Sequence, residues 1–247
     1  MSDTARFSIR LAIEGQPETF DVDLETHGTS LAGLVPLAYE VTQRLVEREE
    51  ARRRNRGNLV TCRPKCTQCC HQLVVLTVPE VLYLEEAISR TEGLAEGFAA
   101  RERELEARNW VEELFEPTLS ETPPFLPIAV DYFNAQLPCP ALRDDLCSIY
   151  ADRPLPCRTH SVTSDPARCA KPFDGGVEKV ELPQALSPAL ALAAAALLDE
   201  DPVMIPLPLV PRWLRASGAD VRRRFAPEAL VNAFMHALGG AGRGGSA

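Results

Sequence analysis

Four cysteines fall within nine residues, at Cys62, Cys66, Cys69 and Cys70. Thiols this crowded have few physical fates. A disulfide between adjacent residues is strained, so Cys69 and Cys70 do not readily pair with each other. Burial as small apolar side chains suits single scattered thiols, not a run spaced C-x3-C-x2-C-C. Four more follow at Cys139, Cys147, Cys157 and Cys169. Residues 1–13, MSDTARFSIRLAI, lack a basic start followed by a long apolar run, which predicts a cytoplasmic chain. In a reducing compartment, clustered thiols serve as metal ligands or redox groups. Spacings of two and three residues let a loop aim its sulfurs at one point, as a soft metal requires. Zinc and iron–sulfur clusters such as [4Fe-4S] both take four cysteine ligands. Eight thiols therefore match two four-thiolate sites, or one cluster with ligands to spare.

The rest of the composition narrows the function classes. The 247 residues are 45% hydrophobic, enough for a core without staples. The formal net charge of -9 argues against a nucleic-acid partner, because phosphates repel such a surface. The longest apolar stretch, around Ala185–Leu198, is shorter than the ~20 residues a membrane helix needs. The expected partner is a metal ion, zinc or iron, with neither nucleic acid nor membrane.

Along the chain, Phe7, Ile9, Leu11 and Ile13 alternate with polar or small residues, as do Phe20, Val22 and Leu24. Glu14-Gly15-Gln16-Pro17 lies between them, which is a β-hairpin signal. Pro36 suits a helix first turn. Ala38, Val41 and Leu45 follow at helical spacing, with Glu40/Arg44 and Glu49/Arg53 as i,i+4 pairs, until about Gly57. The basic run Arg52, Arg53, Arg54 and Arg56 reads either as an anion or partner site or as a solvated helix end that complements the dipole. Leu73–Leu76 reads as a short strand. Thr77-Val78-Pro79-Glu80 reads as a capping box opening a helix through Leu84 and Ile88. A second, charge-rich helix is expected over Leu94–Phe115, then a Pro-rich connection over Pro117–Pro127. The segment Cys139–Cys169 reads as loop with short helical turns. Helices are expected from Ser187-Pro188 to Leu198 and from Pro227 to Leu238, followed by a flexible tail.

The cysteine segments also carry a resemblance. Cys62, Cys66, Cys69, Cys70, then Cys139, Pro140, Leu142, then Cys147, Ile149, Tyr150, Arg153, Pro154, Cys157 and Arg158 recur in order. In this they resemble the bacterial YkgJ-type zinc- or iron-chelating domain family. The resemblance covers Thr61–Arg158, under half of the chain, and implies metal binding without naming a reaction. Cys62, Cys66 and Cys69 also have the spacing of the radical S-adenosylmethionine cluster. Gln68 stands where that family has an aromatic residue, and a helix precedes the run where a barrel strand should.

Several residues near the thiols have two readings. His71 and His160 are mixed ligands through imidazole, or surface and supporting groups. Arg153 and Arg158 compensate thiolate charge, or form ion pairs with Asp152 or Asp165. Glu85-Glu86 and Asp144-Asp145 read as solvated faces.

The expected fold is α+β and mostly α. It comprises an N-terminal hairpin and helix (1–57), a loop-rich cysteine domain (58–172), a helical extension (173–238) and a disordered tail (239–247). The candidate metal ligands are Cys62, Cys66, Cys69, Cys70, Cys139, Cys147, Cys157 and Cys169. The expected function is metal handling, sensing or electron transfer. A cluster-dependent redox or S-adenosylmethionine-using enzyme and a zinc-stabilised interaction protein are the alternatives.

Overall fold

A computed structural model describes residues 3–115 and 125–241. The N-terminal hairpin forms as expected, with β1 (Thr4–Ile13) antiparallel to β2 (Gln16–Glu25). Its tight turn is Glu14-Gly15, both at positive φ, the geometry that matches strand twist. Pro17 belongs to β2 and not to the turn; a two-stranded ribbon tolerates its missing N–H. Ile9, Ile13, Phe20, Val22 and Leu24 turn one buried face onto α1 (Val35–Asn55).

Two arginines of the basic run at the end of α1 are salt-bridged. Arg52 pairs with Glu14 at 2.6 Å and with Glu49 at 3.2 Å, while Arg53 pairs with Glu49 at 2.7 Å. Of the two expected helix pairs, Glu49/Arg53 forms. Arg44 instead reaches across to Glu18 at 3.2 Å and along the helix to Glu47 at 3.4 Å.

Strand β3 (Val75–Thr77) leads directly into α2 (Val78–Arg90), and the Thr77–Glu80 capping box is present. The single helix expected over Leu94–Phe115 is two, α3 (Leu94–Ala107) and α4 (Val111–Phe115). Asn109 breaks it at φ +59, a left-handed position Asn tolerates. Within the Pro-rich connection, residues 116–124 lie outside the described residues. Pro127 falls in the first turn of α5 (Phe125–Asn134), where its missing N–H costs nothing. The surrounding prolines hide this helix in the sequence.

The second cysteine segment is loop punctuated by short elements. It holds a ribbon, β4 (Leu142–Arg143) with β5 (Leu146–Cys147), and one helical turn and a half, α6 (Leu155–Thr159). Asp144 and Asp145 make the ribbon turn at positive φ, exposed to solvent. Helix α7 (Leu186–Leu198) then packs on α9 (Pro227–Ala241). Between them lie β6 (Met204–Pro206) and α8 (Val210–Ala216). The tail was expected to be disordered from Gly239. Gly239–Ala241 instead continue α9, and residues 242–247 lie outside the described residues.

The main apolar core runs through most of these segments, while Leu105, Val111, Leu114, Ile128 and Tyr132 of α3, α4 and α5 form a second cluster. The main core joins Phe20 and Leu24 of the hairpin, Leu45 of α1, Leu84 of α2, Leu155 of α6, Leu190 of α7 and Phe234 of α9. Strand β6 pairs antiparallel with β3, Leu76 opposite Ile205, so a residue pair 129 positions apart closes the core. The α+β, mostly helical class is as expected. Among the described residues no helix is long and apolar enough to cross a membrane.

Among several contacts that fasten the cysteine segment to this core, one buried carboxylate joins two helix starts. Glu80, 1% exposed, accepts from Thr77 N at 3.1 Å and Thr77 Oγ1 at 2.8 Å, and its other oxygen accepts from Leu155 N at 2.8 Å. Leu155 opens α6, so Glu80 completes its own helix start and that of a helix 75 residues away. Burial pushes the Glu80 carboxyl up, while these hydrogen bonds and the Arg158 charge oppose the shift.

Glu80→Ala leaves two backbone N–H groups buried without acceptors. Unsatisfied groups cost ~1–3 kcal/mol each, so a loss of about 3 kcal/mol is expected. Urea unfolding should show the midpoint falling at an unchanged slope. A loss below ~0.5 kcal/mol would show that the tether does not hold the segment.

Candidate metal centre

The first cysteine run is positioned by backbone pairing at its start and by tight turns within it. Thr61 N donates to Val162 O at 2.9 Å and Thr61 Oγ1 to Ser164 O at 2.6 Å, which sets Cys62 against the second segment. Cys66 N donates to Arg63 O at 3.1 Å, closing a turn in which Lys65 has φ +67. Cys69 and Cys70 then lie in a 3₁₀ turn, Gln68–His71.

That turn is held by two segments. Cys139 N donates to Cys70 O at 2.7 Å, which fixes the Cys139-Pro140-Ala141-Leu142 loop beside it. Helix α3 holds the far side of this loop. A Cβ at Gly97 would lie 2.8 Å from Pro140 O, so only glycine permits the approach. The turn also packs against a second 3₁₀ turn, Pro166–Ala170, which carries buried Cys169. Cys147 is set by β5, opposite Leu142, and Cys157 by α6.

The eight thiols are therefore drawn into one region, and all are free of disulfides. Cys62 is exposed, Cys169 is buried and the others are half-buried. Neighbouring thiols oppose one another's ionisation. Cys169 lies close enough to Cys62, Cys66 and Cys69 for their charges to oppose its ionisation. Cys157 feels Cys139, Cys69 and Cys147 in the same way. Burial is the largest cause in both, and it also raises Cys62 and Cys147 and pushes Cys139 up to about 11. Cys69 is raised first by a side-chain contact with Cys70 and then by burial. Among the described residues, no three His, Cys, Asp or Glu side chains stand at the spacing of a single ion. The donors are gathered but not closed around one point.

The cations divide by role. Arg153 lies near enough to Cys69, Cys147 and Cys157 to favour their thiolates, and it covers the Tyr150 ring at 4.1 Å. Its buried Nε finds no acceptor among the described residues. The same is true of Arg101 Nε, and Arg101 acts on Cys139. Half-partnered guanidiniums beside thiols fit a centre that carries negative charge. Arg158 does other work. It lies over the Tyr39 ring at 3.7 Å and donates to Arg153 O at 2.8 Å and to Ala151 O, bracing the loop. Neither arginine takes the expected ion pair, because Asp152 receives Arg90 at 2.5 Å and Asp165 caps Ala167 N at 2.9 Å.

The two candidate histidines separate as well. His71 Nδ1 lies 3.1 Å from Thr67 O, a contact that requires Nδ1 to carry the proton. His160 lines a different cleft with Thr159, Lys179 and Val180, where burial, and then Lys179, lower its pKa. Arg101 and Lys179, which lies near Cys169, were not foreseen. Neither belongs to a motif, and only the tertiary fold brings them to the thiols.

Residues 61–175 match the CxxCxxCC family model. That family is described as a "putative zinc- or iron-chelating domain". The match bears out the resemblance read from the cysteine motifs and extends past Arg158 to include Cys169. No curated protein and no solved structure matches the chain.

Thiols in these environments should show graded reactivity. In metal-free, reduced protein at pH 7.5, mass-mapped alkylation should reach exposed Cys62 before Cys139 and Cys157, whose thiolate forms are suppressed. Arg153→Ala should slow Cys147 alkylation roughly two- to tenfold, because a nearby cation favours the thiolate, and should leave Cys62 unchanged. Equal slowing at both thiols would show that Arg153 acts only through folding.

Proposed function

We propose that the chain binds zinc or iron through Cys62, Cys66, Cys69, Cys70, Cys139, Cys147, Cys157 and Cys169, and acts in metal handling or sensing. The observation that carries this reading is the convergence of eight reduced thiols from separate segments around the turn Gln68–His71. Soft thiolate donors select zinc, copper(I) or iron–sulfur chemistry over hard cations, and the matched domain is described for zinc or iron. Seven of these ligands are half-buried or exposed, which suits a metal that is exchanged with solvent or a partner. The same donors would accept a [4Fe-4S] cluster, in which case the role is electron transfer or redox sensing. On this reading residues 58–172 are the metal-binding unit.

One observation favours a second reading, a zinc-stabilised interaction protein. Leu146 and Tyr150 are 51% and 63% exposed on the loop that carries Cys147. Apolar groups so placed are a contact surface when metal orders the loop. Nothing comparable favours a radical S-adenosylmethionine enzyme. The paired strands described here are antiparallel two-stranded ribbons, and Cys62–Cys70 follows a helix and loop, not a barrel strand.

Anaerobic purification followed by metal and acid-labile sulfide analysis tests the proposal. Zinc or iron at one or two per chain is expected. Zinc without sulfide points to handling or scaffolding, and iron with sulfide to a cluster. Folded protein with neither metal above background would contradict the reading.

Chelation should also act locally. Cys139–Pro172 buries few apolar side chains, so metal is expected to supply much of its order. Limited proteolysis of chelated protein should cut this stretch first, while the hairpin and α7 persist. Identical cutting with and without metal would count against it.

A further inference from the structure

A cleft of about 300 Å³ opens between the end of α6 and the segment that leads into α7. That volume is at the low end of the range for small-molecule sites. Backbone pairing holds its two walls together. Val180 N donates to Ser161 O at 2.8 Å, and Thr163 N to Glu178 O at 3.0 Å. Thr159 lines the cleft, but its Oγ1 is committed to Leu155 O at 3.1 Å. The side chains of His160, Ser161, Lys179, Glu181 and Gln184 line it too, and none of the five has a hydrogen-bond or ion-pair partner among the described residues. Lys179 and Glu181 are two residues apart, the spacing that puts side chains on one side of an extended segment. Val180 between them is buried. Burial, and then Lys179, lower the His160 pKa, so the imidazole is uncharged at neutral pH. Lys179 and Glu181 are therefore the cation and the anion of the cleft. Pro156 and Leu182, the latter packed against the main core, supply apolar wall.

We propose that this cleft binds a free α-amino acid with an aliphatic side chain, its carboxylate taken by Lys179 and its ammonium by Glu181. A simple anion would meet Lys179 but be opposed by Glu181, and a simple cation the reverse. A zwitterion satisfies both, because its two charges are fixed a few bonds apart. His160, Ser161 and Gln184 each offer a donor and an acceptor, so they can complete the hydrogen bonds of either charged group. The aliphatic side chain lies against Pro156 and Leu182. Binding here requires no metal, and it stands or falls apart from the metal-binding reading.

The test is isothermal titration calorimetry of the full chain at pH 7.5 with L-leucine, with isocaproate, which lacks the ammonium, and with isoamylamine, which lacks the carboxylate. Leucine is expected to bind at one per chain, and each single-charge analogue about tenfold more weakly, as loss of one charged contact predicts. Lys179 and Glu181 are exposed, so their replacement leaves the fold intact. Lys179→Ala and Glu181→Ala should each weaken leucine by about the same factor. The variants should also cross over. Lys179→Ala should bind isoamylamine more tightly than the wild type does, and Glu181→Ala should do the same for isocaproate, because each loses a like charge. No binding of leucine would overturn the proposal. So would equal affinity for leucine and isocaproate, which would make the cleft an anion site. Leucine binding unchanged in both variants would place the ligand elsewhere and overturn it as well. L-serine binding as tightly as leucine would overturn the aliphatic assignment.

Discussion

The carboxylate of Glu80 is the joint between the helical core and the cysteine segment. It lies at the start of α2, immediately after β3, and β3 is paired to β6 from the far end of the chain. A charge-bearing group at this depth is costly unless its acceptor capacity is used. Here three donors from two segments use it. Leu155 is thereby pinned inside the core, and Cys157 two residues later is held at a set depth. Arg158, next in the chain, lies over Tyr39 and spans back to Arg153 and Ala151. Arg153 in turn is left facing the thiols.

The thiols themselves are an unfavourable arrangement for a protein without metal. Burial and mutual repulsion raise Cys139, Cys157 and Cys169, so these thiols stay protonated at neutral pH. Guanidiniums of Arg101 and Arg153 lie beside them with buried Nε atoms lacking acceptors among the described residues. Both costs fall if the protons are exchanged for metal. The thiolates then have a partner of opposite charge, and the residual negative charge meets the cations. Metal binding is therefore expected to be coupled to proton release and to order in the surrounding loops.

Much of this was legible in the chain. The hairpin showed itself by alternation, α1 by Pro36 and helical spacing, and α2 by its capping box, because these signals are local. The break at Asn109 and helix α5 were not legible. A left-handed Asn leaves no mark in apolar periodicity, and prolines argued for a connection where Pro127 in fact sits in a first turn. At the centre, the motif residues identified themselves by type and spacing. Cys169 lies beyond the motif, yet two packed 3₁₀ turns bring it to the turn that carries Cys69 and Cys70. Arg101, Lys179 and the Glu80–Leu155 bond depend on contacts between distant segments, and no local pattern announces them.

The central claim is that thiolates from both cysteine segments form the metal's first shell. X-ray absorption at the zinc or iron edge of anaerobically purified protein tests it most directly. The account predicts a shell of sulfur alone, at about 2.3 Å for zinc. A shell dominated by nitrogen or oxygen near 2.0 Å would contradict it, whatever the metal content.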